Sequence, residues 1–306
     1  MTADVQVVRG NHVDPHRQNL YRRAIWIALA GNALLAAAKG LIAWLSGSSA
    51  VFSDAANSLS DTLYSLLMAA GLYLAQRPAD QNHPQGHSRF EPLVSLLIAL
   101  AMGAAGVTAM REGMRRFLDD AAAIEPGWPT VVLLGGALVK VVMYLWVRRI
   151  GQRAYSPAIT ATARDNLSDV LTSTAALVGV WGSRMLHPLL DPLAGVVVSL
   201  WIFRSAGEIL YENLGYLTGR RASPELTEQV ISSVSAMPGV LGVHQVIADH
   251  VGPQVRVDMH IDVDGEMTLH QAHAIADEVQ AQVEALPTVD LAFVHVEPVR
   301  RARGGD

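Results

Sequence analysis

The sequence predicts a membrane all-α six-helix transmembrane bundle followed by a small cytoplasmic α+β domain, and three observations lead there. Of the 306 residues, 51% are hydrophobic and only 17% charged, and the mean hydropathy is +0.26, too apolar for an ordinary soluble chain of this length. Six apolar segments are each long enough to cross a hydrocarbon core, which takes about 20 helical residues. Beyond Thr218 the texture changes to regular charges and strand-like alternation, the mark of a domain in water.

The six segments run over 24–45, 50–75, 92–116, 129–147, 160–184 and 189–211. The first two are joined by the short turn Ser46-Gly47-Ser48-Ser49, which makes them an antiparallel hairpin. Before the first lie Arg17, Arg22 and Arg23, without a short apolar core and small-residue cleavage site, so the first segment reads as a retained membrane helix. These arginines, Arg77 and Arg89, then Arg148, Arg149 and Arg153, then Arg220 and Arg221 all fall on one side of an even number of spans. The positive-inside rule makes that side cytoplasmic and puts both termini there, in a cell (inner) membrane. Arg111, Arg115 and Arg116 are the exception, and the neighbouring Asp119, Asp120 and Glu125 are expected to pair with them. Lys39 is expected to snorkel from the first span to the interface.

The resulting divisions are an N-terminal segment over 1–23, a transmembrane domain over 24–217, a cytoplasmic domain over 218–300 and a tail over 301–306. In the cytoplasmic domain, Ser223 before Pro224 is a helix-start signal. A helix to about Met237 is followed by strands over 242–250 and 254–263, a helix opened by the capping box of Thr268 and Gln271, and a last strand over 291–297. The order is αββαβ. Alternation in the second strand buries Val255, Val257, Met259, Ile261 and Val263 and leaves Arg256, Asp258, His260 and Asp262 on the other face.

Composition narrows the chemistry. A net charge of −5 and the lack of a basic, aromatic-interleaved patch argue against a nucleic-acid partner. The chain has no cysteine, so disulfides and thiolate metal sites are excluded and any bound metal is held by oxygen and imidazole nitrogen. No serine or histidine pair sits at depth with a suitable partner for an intramembrane enzyme.

Two near-copies carry the candidate site: Asn57-Ser58-Leu59-Ser60-Asp61 in the second span and Asp165-Asn166-Leu167-Ser168-Asp169 in the fifth. Residues four apart on a helix share a face, so each run is half of a site. Such polar residues can serve only as hydrogen-bonding glue between helices, but glue is usually Ser, Thr or Asn, and ionisable groups in lipid are costly enough to be read as functional. Asn57, Asp61, Asp165 and Asp169 together make an oxygen site with three carboxylates, whose charge a divalent cation or protons would neutralise. The loop residues Asp80, His83 and His87 form a second candidate metal site, against the simpler reading of a polar loop turned by Pro84 and Gly86.

With these runs, the loop Asp80-Gln81-Asn82-His83-Pro84-Gln85-Gly86-His87, the six spans and the small tail, the chain resembles the cation diffusion facilitators, proton-coupled exporters of divalent metal, over almost its whole length. The resemblance implies a homodimer in the lipid membrane working by alternating access, a transport site on Asn57, Asp61, Asp165 and Asp169, and a metallochaperone-like tail. It implies a second metal at Asp80, His83 and His87 and a regulatory metal centre at His244, His260, His273, His295 and Glu297, with Glu297 where many relatives have Asp. No prosthetic group is implied; the metal is substrate and regulator. Zinc-transporting members usually carry a histidine in a half-site and this chain has none, so the resemblance points to Mn²⁺ first, then Fe²⁺, Zn²⁺ or Co²⁺. An intersubunit charge lock seen in some relatives has its Arg89 here but no aspartate over 218–221, leaving Glu212 as the available acid. The rival expectation is a membrane-anchored metal sensor or scaffold that does not transport.

Overall fold

The computed structural model describes residues 15–46, 49–118, 128–185, 187 and 189–299, and the chain divides into two compact units, Met1–Leu214 and Gly215–Asp306. The first unit holds six long helices: α1 (Pro15–Ser46), α2 (Ser49–Ala75), α3 (Phe90–Leu118), α4 (Trp128–Ala154), α5 (Pro157–Met185) and α6 (Leu190–Leu217, whose last turn passes the division). Four of them, α1, α3, α4 and α6, are long and apolar enough to cross a membrane by length and composition. The other two, α2 and α5, are long enough but are interrupted by the polar runs. Large apolar side chains such as Trp26, Leu34, Leu100 and Trp146 stand exposed on the outside, as they must where the surroundings are hydrocarbon rather than water.

Within this unit α1 packs on α2 and α4, α4 on α5, and α3 on both α2 and α5. Small residues set the closest approaches. A Cβ built on Gly71 of α2 would lie 1.9 Å from Val94 Cγ2 of α3, and one on Gly106 of α3 would lie 3.0 Å from Phe203 of α6, the small-residue contact that lets helices associate in lipid. The core between them includes Leu20, Ala24, Met68, Leu72, Ala99, Met102, Ile159, Ile202 and Ile209.

Buried polar groups tie the helices at one end of α3. Glu91, in its first turn and 1% exposed, accepts hydrogen bonds from Tyr21 Oη of α1 at 2.7 Å and from Ser156 Oγ at the head of α5, and Arg17 Nη2 lies 3.9 Å from it. Ser156 also caps α5, accepting from the Ile159 N–H at 3.2 Å, with Pro157 in the first helical position.

Three expectations meet a different or undescribed arrangement. Lys39 does not snorkel: it is 9% exposed, and its Cε would lie 3.2 Å from a Cβ on Gly136 of α4. The first turn of the hairpin at Gly47-Ser48 and the acidic cluster Asp119, Asp120 and Glu125 lie outside the described residues. So do the N-terminal residues before Pro15 and those after Val299.

The second unit follows the expected order: α7 (Pro224–Ser235), β1 (Gly242–Val251), β2 (Gln254–Asp264), α8 (Leu269–Glu284) and β3 (Val289–Val299). Ser223 accepts from the Leu226 N–H, and Thr268 with Gln271 makes both bonds of the capping box. β2 lies at the centre of the sheet, antiparallel to β1 and parallel to β3. The parallel partner is reached through α8, as a crossover requires. Burial alternates without a break along β2, and Val255, Val257, Met259, Ile261 and Val263 are each 2% exposed or less, packed with Val230, Val234, Val279 and Val283 of the helices. The opposite face is left to polar residues.

Candidate metal centres

In the membrane unit the two polar runs meet on a third helix. Lys140 of α4 donates to Asp61 Oδ2 of α2 at 2.8 Å and to Asp169 Oδ2 of α5 at 2.6 Å, with the lysine side chain 5% exposed. Asp165 lies one turn before Asp169 on α5. The side chain of Asn57 lies outside what the structure describes. Asp61 is held from behind: Ser65 Oγ donates to its backbone carbonyl at 2.9 Å, and Asn32 Nδ2 of α1 donates to Ser65 Oγ at 2.8 Å. Asn32 and Ser65 are therefore glue in the ordinary sense.

Ser58 Oγ, both amide atoms of Asn166 and the Oδ1 of Asn32 are buried and have no hydrogen-bond partner among the described residues. Polar atoms left without a protein partner inside an apolar span are costly. Lys140 is the residue that sequence reasoning missed. The signal that could have found it is the one that flags the aspartates: a lone lysine in the apolar run Leu138-Val139-Lys140-Val141-Val142.

The loop between α2 and α3 brings its three predicted residues together. Candidate ligand atoms of Asp80, His83 and His87 all lie within 4.8 Å of one another. Asp80 Oδ1 accepts from the backbone N–H groups of Asn82 and His83 at 2.9 and 2.7 Å, so the aspartate builds the turn that presents the histidines. Gly86 completes it at φ +95, a conformation that glycine adopts without strain. The same backbone bonds, that from His83 foremost, hold the Asp80 carboxyl below the ordinary range. His87 Nδ1 lies 3.0 Å from the Pro78 carbonyl, an oxygen that can only accept. The ring proton therefore belongs on Nδ1 in the neutral tautomer, and the Nε2 lone pair faces Asp80 Oδ2 at 3.4 Å. Two acceptors turned toward each other with the far ring nitrogen bonded to a carbonyl is how a metal-ligating histidine is oriented.

Residues 25–218 match the family model of the cation efflux transmembrane domain, and residues 222–299 that of the cation efflux protein cytoplasmic domain. The chain belongs to the cation efflux family. Its members are transporters of divalent metal cations, located in membranes by several spans. Similar proteins include an uncharacterized transporter of Methanocaldococcus jannaschii, 31% identical over 277 residues that cover 89% of this chain and 96% of the relative. A manganese efflux system protein of Bacillus subtilis, MneS, is 26% identical over 90% of this chain and 94% of its own. The magnetosome protein MamM of Paramagnetospirillum magneticum is 29% identical over 84% of this chain and 82% of its own.

The cytoplasmic domain of this cation efflux protein carries the third cluster. Ligand atoms of His244, His260 and Glu297 lie within 4.8 Å of one another. Glu297 Oε1 is 2.9 Å from His260 Nδ1, 3.5 Å from His244 Nε2 and 4.0 Å from His295 Nε2. Strand register explains the grouping, since His260 lies opposite His295 and Asp262 opposite Glu297 across the parallel pair. On the other side, β1 has a bulge between Val243 and Gln245, which re-aims His244 toward the same face. The His260 bond, reinforced by the His244 charge, holds the Glu297 carboxyl below its ordinary range.

Asp262, 3.1 Å from His244 Nδ1, joins the cluster as an acid that the predicted ligand set lacks. Asp258 does not; Arg256 grips it with two hydrogen bonds at 3.0 and 2.7 Å. His273 is not brought in either, and sits exposed on α8 with Nε2 3.6 Å from Asp277. Glu212 lies 3.9 Å from Arg164 within the same chain.

Proposed function

We propose that this cation efflux protein exports a divalent metal from the cytoplasm, Mn²⁺ first, in exchange for protons, as a homodimer that alternates access to a site of Asn57, Asp61, Asp165 and Asp169. The observation that carries the reading is the convergence of Asp61 of α2 and Asp169 of α5 on one cationic nitrogen. The ammonium of Lys140 stands in for the cation that the two carboxylates are built to receive. All four assigned ligands are oxygen donors, which suit Mn²⁺ better than softer ions, and the manganese efflux relative supports the same metal. Fe²⁺, Zn²⁺ and Co²⁺ are the next candidates.

In this reading the loop group of Asp80, His83 and His87 is a second metal site at the cytoplasmic face. The tail group of His244, His260, His295 and Glu297 senses cytoplasmic metal and biases the membrane halves through the dimer, a linkage between two sites. Histidine in both favours occupation by imidazole-preferring ions there even if the transported ion is Mn²⁺. Both termini are cytoplasmic by the arginine distribution.

The test is metal flux into proteoliposomes under an imposed pH gradient. Wild-type protein is expected to move Mn²⁺ with a rate set by the gradient, and Asp61→Ala and Asp169→Ala to abolish it. Undiminished flux in either variant overturns the site, and metal binding with no flux at any gradient favours the sensor reading.

A further inference from the structure

We infer that Lys140 is a tethered internal cation that competes with the transported metal for Asp61 and Asp169, so that metal binds only when the ammonium gives up its place. The inference rests on the transport-site reading above and adds to it the residue that sets affinity. Its basis is geometric. The nitrogen lies 2.8 Å from Asp61 Oδ2 and 2.6 Å from Asp169 Oδ2, the lysine side chain is 5% exposed, and each carboxylate comes from a different helix. A metal ligated by those two oxygens, at the roughly 2.0–2.1 Å of a small hard divalent ion such as Mg²⁺, would lie in the space that the ammonium occupies. The two cations exclude each other in space as well as by charge.

The charge count supports the same conclusion. Asp61, Asp165 and Asp169 are three carboxylates; Lys140 from α4 bridges two of them, and the end of the Lys39 side chain from α1 lies against Gly136, one turn before Lys140. A site with three acids and no counter-cation would hold divalent ions very tightly and release them slowly. An exporter needs a site that empties. A lysine on a four-carbon stem is a cation that can swing in and out without diffusing away, and its own attraction to the carboxylates offsets part of the attraction for metal. The buried amide of Asn166 and the Ser58 hydroxyl, which lack hydrogen-bond partners among the described residues, are polar capacity in the same runs that an incoming ion with its water can use.

The opposite role would be support from behind, with Lys140 fixing the aspartates for a metal that binds their other oxygens. The two roles predict opposite signs. Full-length protein in lipid nanodiscs is titrated with Mn²⁺ by calorimetry, and flux is measured in proteoliposomes. If Lys140 competes, Lys140→Met binds Mn²⁺ more tightly by about tenfold or more, the scale of removing one unit charge beside carboxylates, and moves it more slowly because release becomes limiting. Lys140→Arg, which keeps the charge and grips carboxylates with a planar fork, binds Mn²⁺ several-fold more weakly than wild type. Unchanged or weaker binding in Lys140→Met overturns the inference. Should that variant fail to fold, Lys140→Arg decides alone, weaker binding supporting competition and unchanged binding overturning it. Asp61→Ala and Asp169→Ala separate the two levels: if they bind Mn²⁺ as wild type does, the transport-site reading fails and the inference with it. If they lose binding while Lys140→Met does not tighten it, only the inference fails.

Discussion

The buried carboxylate of Glu91 is expected to fix the relative positions of three helix ends, and a Tyr21→Phe, Glu91→Gln double-mutant cycle measures how firmly. Tyr21 Oη donates to Glu91 Oε2 at 2.7 Å with both residues 3% exposed or less, so water screens little of the interaction. A hydrogen bond contributes about 0.5–1.5 kcal/mol, and about 1.5–3 kcal/mol where the acceptor is charged. Tyr21→Phe removes the donor and leaves Ser156 Oγ and the more distant Arg17 on the carboxyl group, so its cost falls between those limits. Glu91→Gln keeps one acceptor oxygen and replaces the other with an amide donor, and the coupling between the two changes is expected at about 1–2 kcal/mol. Reversible unfolding in mixed micelles reads the stabilities, and flux reads the consequence. Ser156 heads the helix that carries Asp165 and Asp169, roughly 14 Å and 20 Å further along at 1.5 Å per residue, so loosening the tether is expected to lower Mn²⁺ flux without changing binding stoichiometry. Additivity within about 0.3–0.5 kcal/mol would refute the idea that Tyr21 and Glu91 act as one unit.

Three further outcomes are expected. His87→Ala removes the loop ligand whose tautomer the Pro78 carbonyl sets and should lower the metal stoichiometry of the full-length protein by one site while flux through the membrane site persists; equilibrium dialysis against Zn²⁺ checks it. Glu297→Gln tests the tail by pH: the folded carboxyl is held below its unfolded value of about 4.3, so its contribution to stability is present above that value and is lost as pH falls through the lower folded one. The melting difference between wild type and Glu297→Gln should therefore be complete at neutral pH and vanish in acid, and a difference that grows on acidification has the wrong sign. Gly71→Ala drives a methyl into Val94, whose Cγ2 would lie 1.9 Å away; about 1–3 kcal/mol of overpacking outweighs the roughly 1 kcal/mol of helix propensity gained, and Val94→Ala in the same chain should restore most of it.

Much of this is legible in the sequence. The half-sites stand out because an aspartate in an apolar run has no cheap explanation, and β2 was readable to the residue because one buried face and one wet face force strict alternation. The loop cluster was legible because Asp80, His83 and His87 are close in sequence and a short turn cannot separate them. What escaped was whatever depends on pairing between distant segments. Lys140 is separated from Asp61 by 79 residues and from Asp169 by 29, and no local spacing announces which carboxylates it meets. The same holds for Asp262, whose place beside His244 depends on a bulge in β1. His273 lies on α8 beside Asp277 within the chain, so the intrachain cluster does not include it, and the expectation for it concerns the interface between two copies.

Taken together, the membrane site makes physical sense only as a balance of charges. Three carboxylates at depth cannot stand alone, because each ion carries a desolvation cost of several kcal/mol that only a partner offsets. Protons, metal and lysine are the partners on offer, and they are not equivalent. A proton neutralises one acid, a divalent ion binds several at once, and a lysine does so reversibly while staying attached to α4. Lys140 bridges α2 and α5 and offsets part of the cost of burying their acids. In the proposed cycle, metal arrival exchanges that bridge for another. A site organised in this way switches between two bound cations and is at no point left with bare charge in lipid, which is the condition a carboxylate transporter without a histidine in its half-sites has to satisfy.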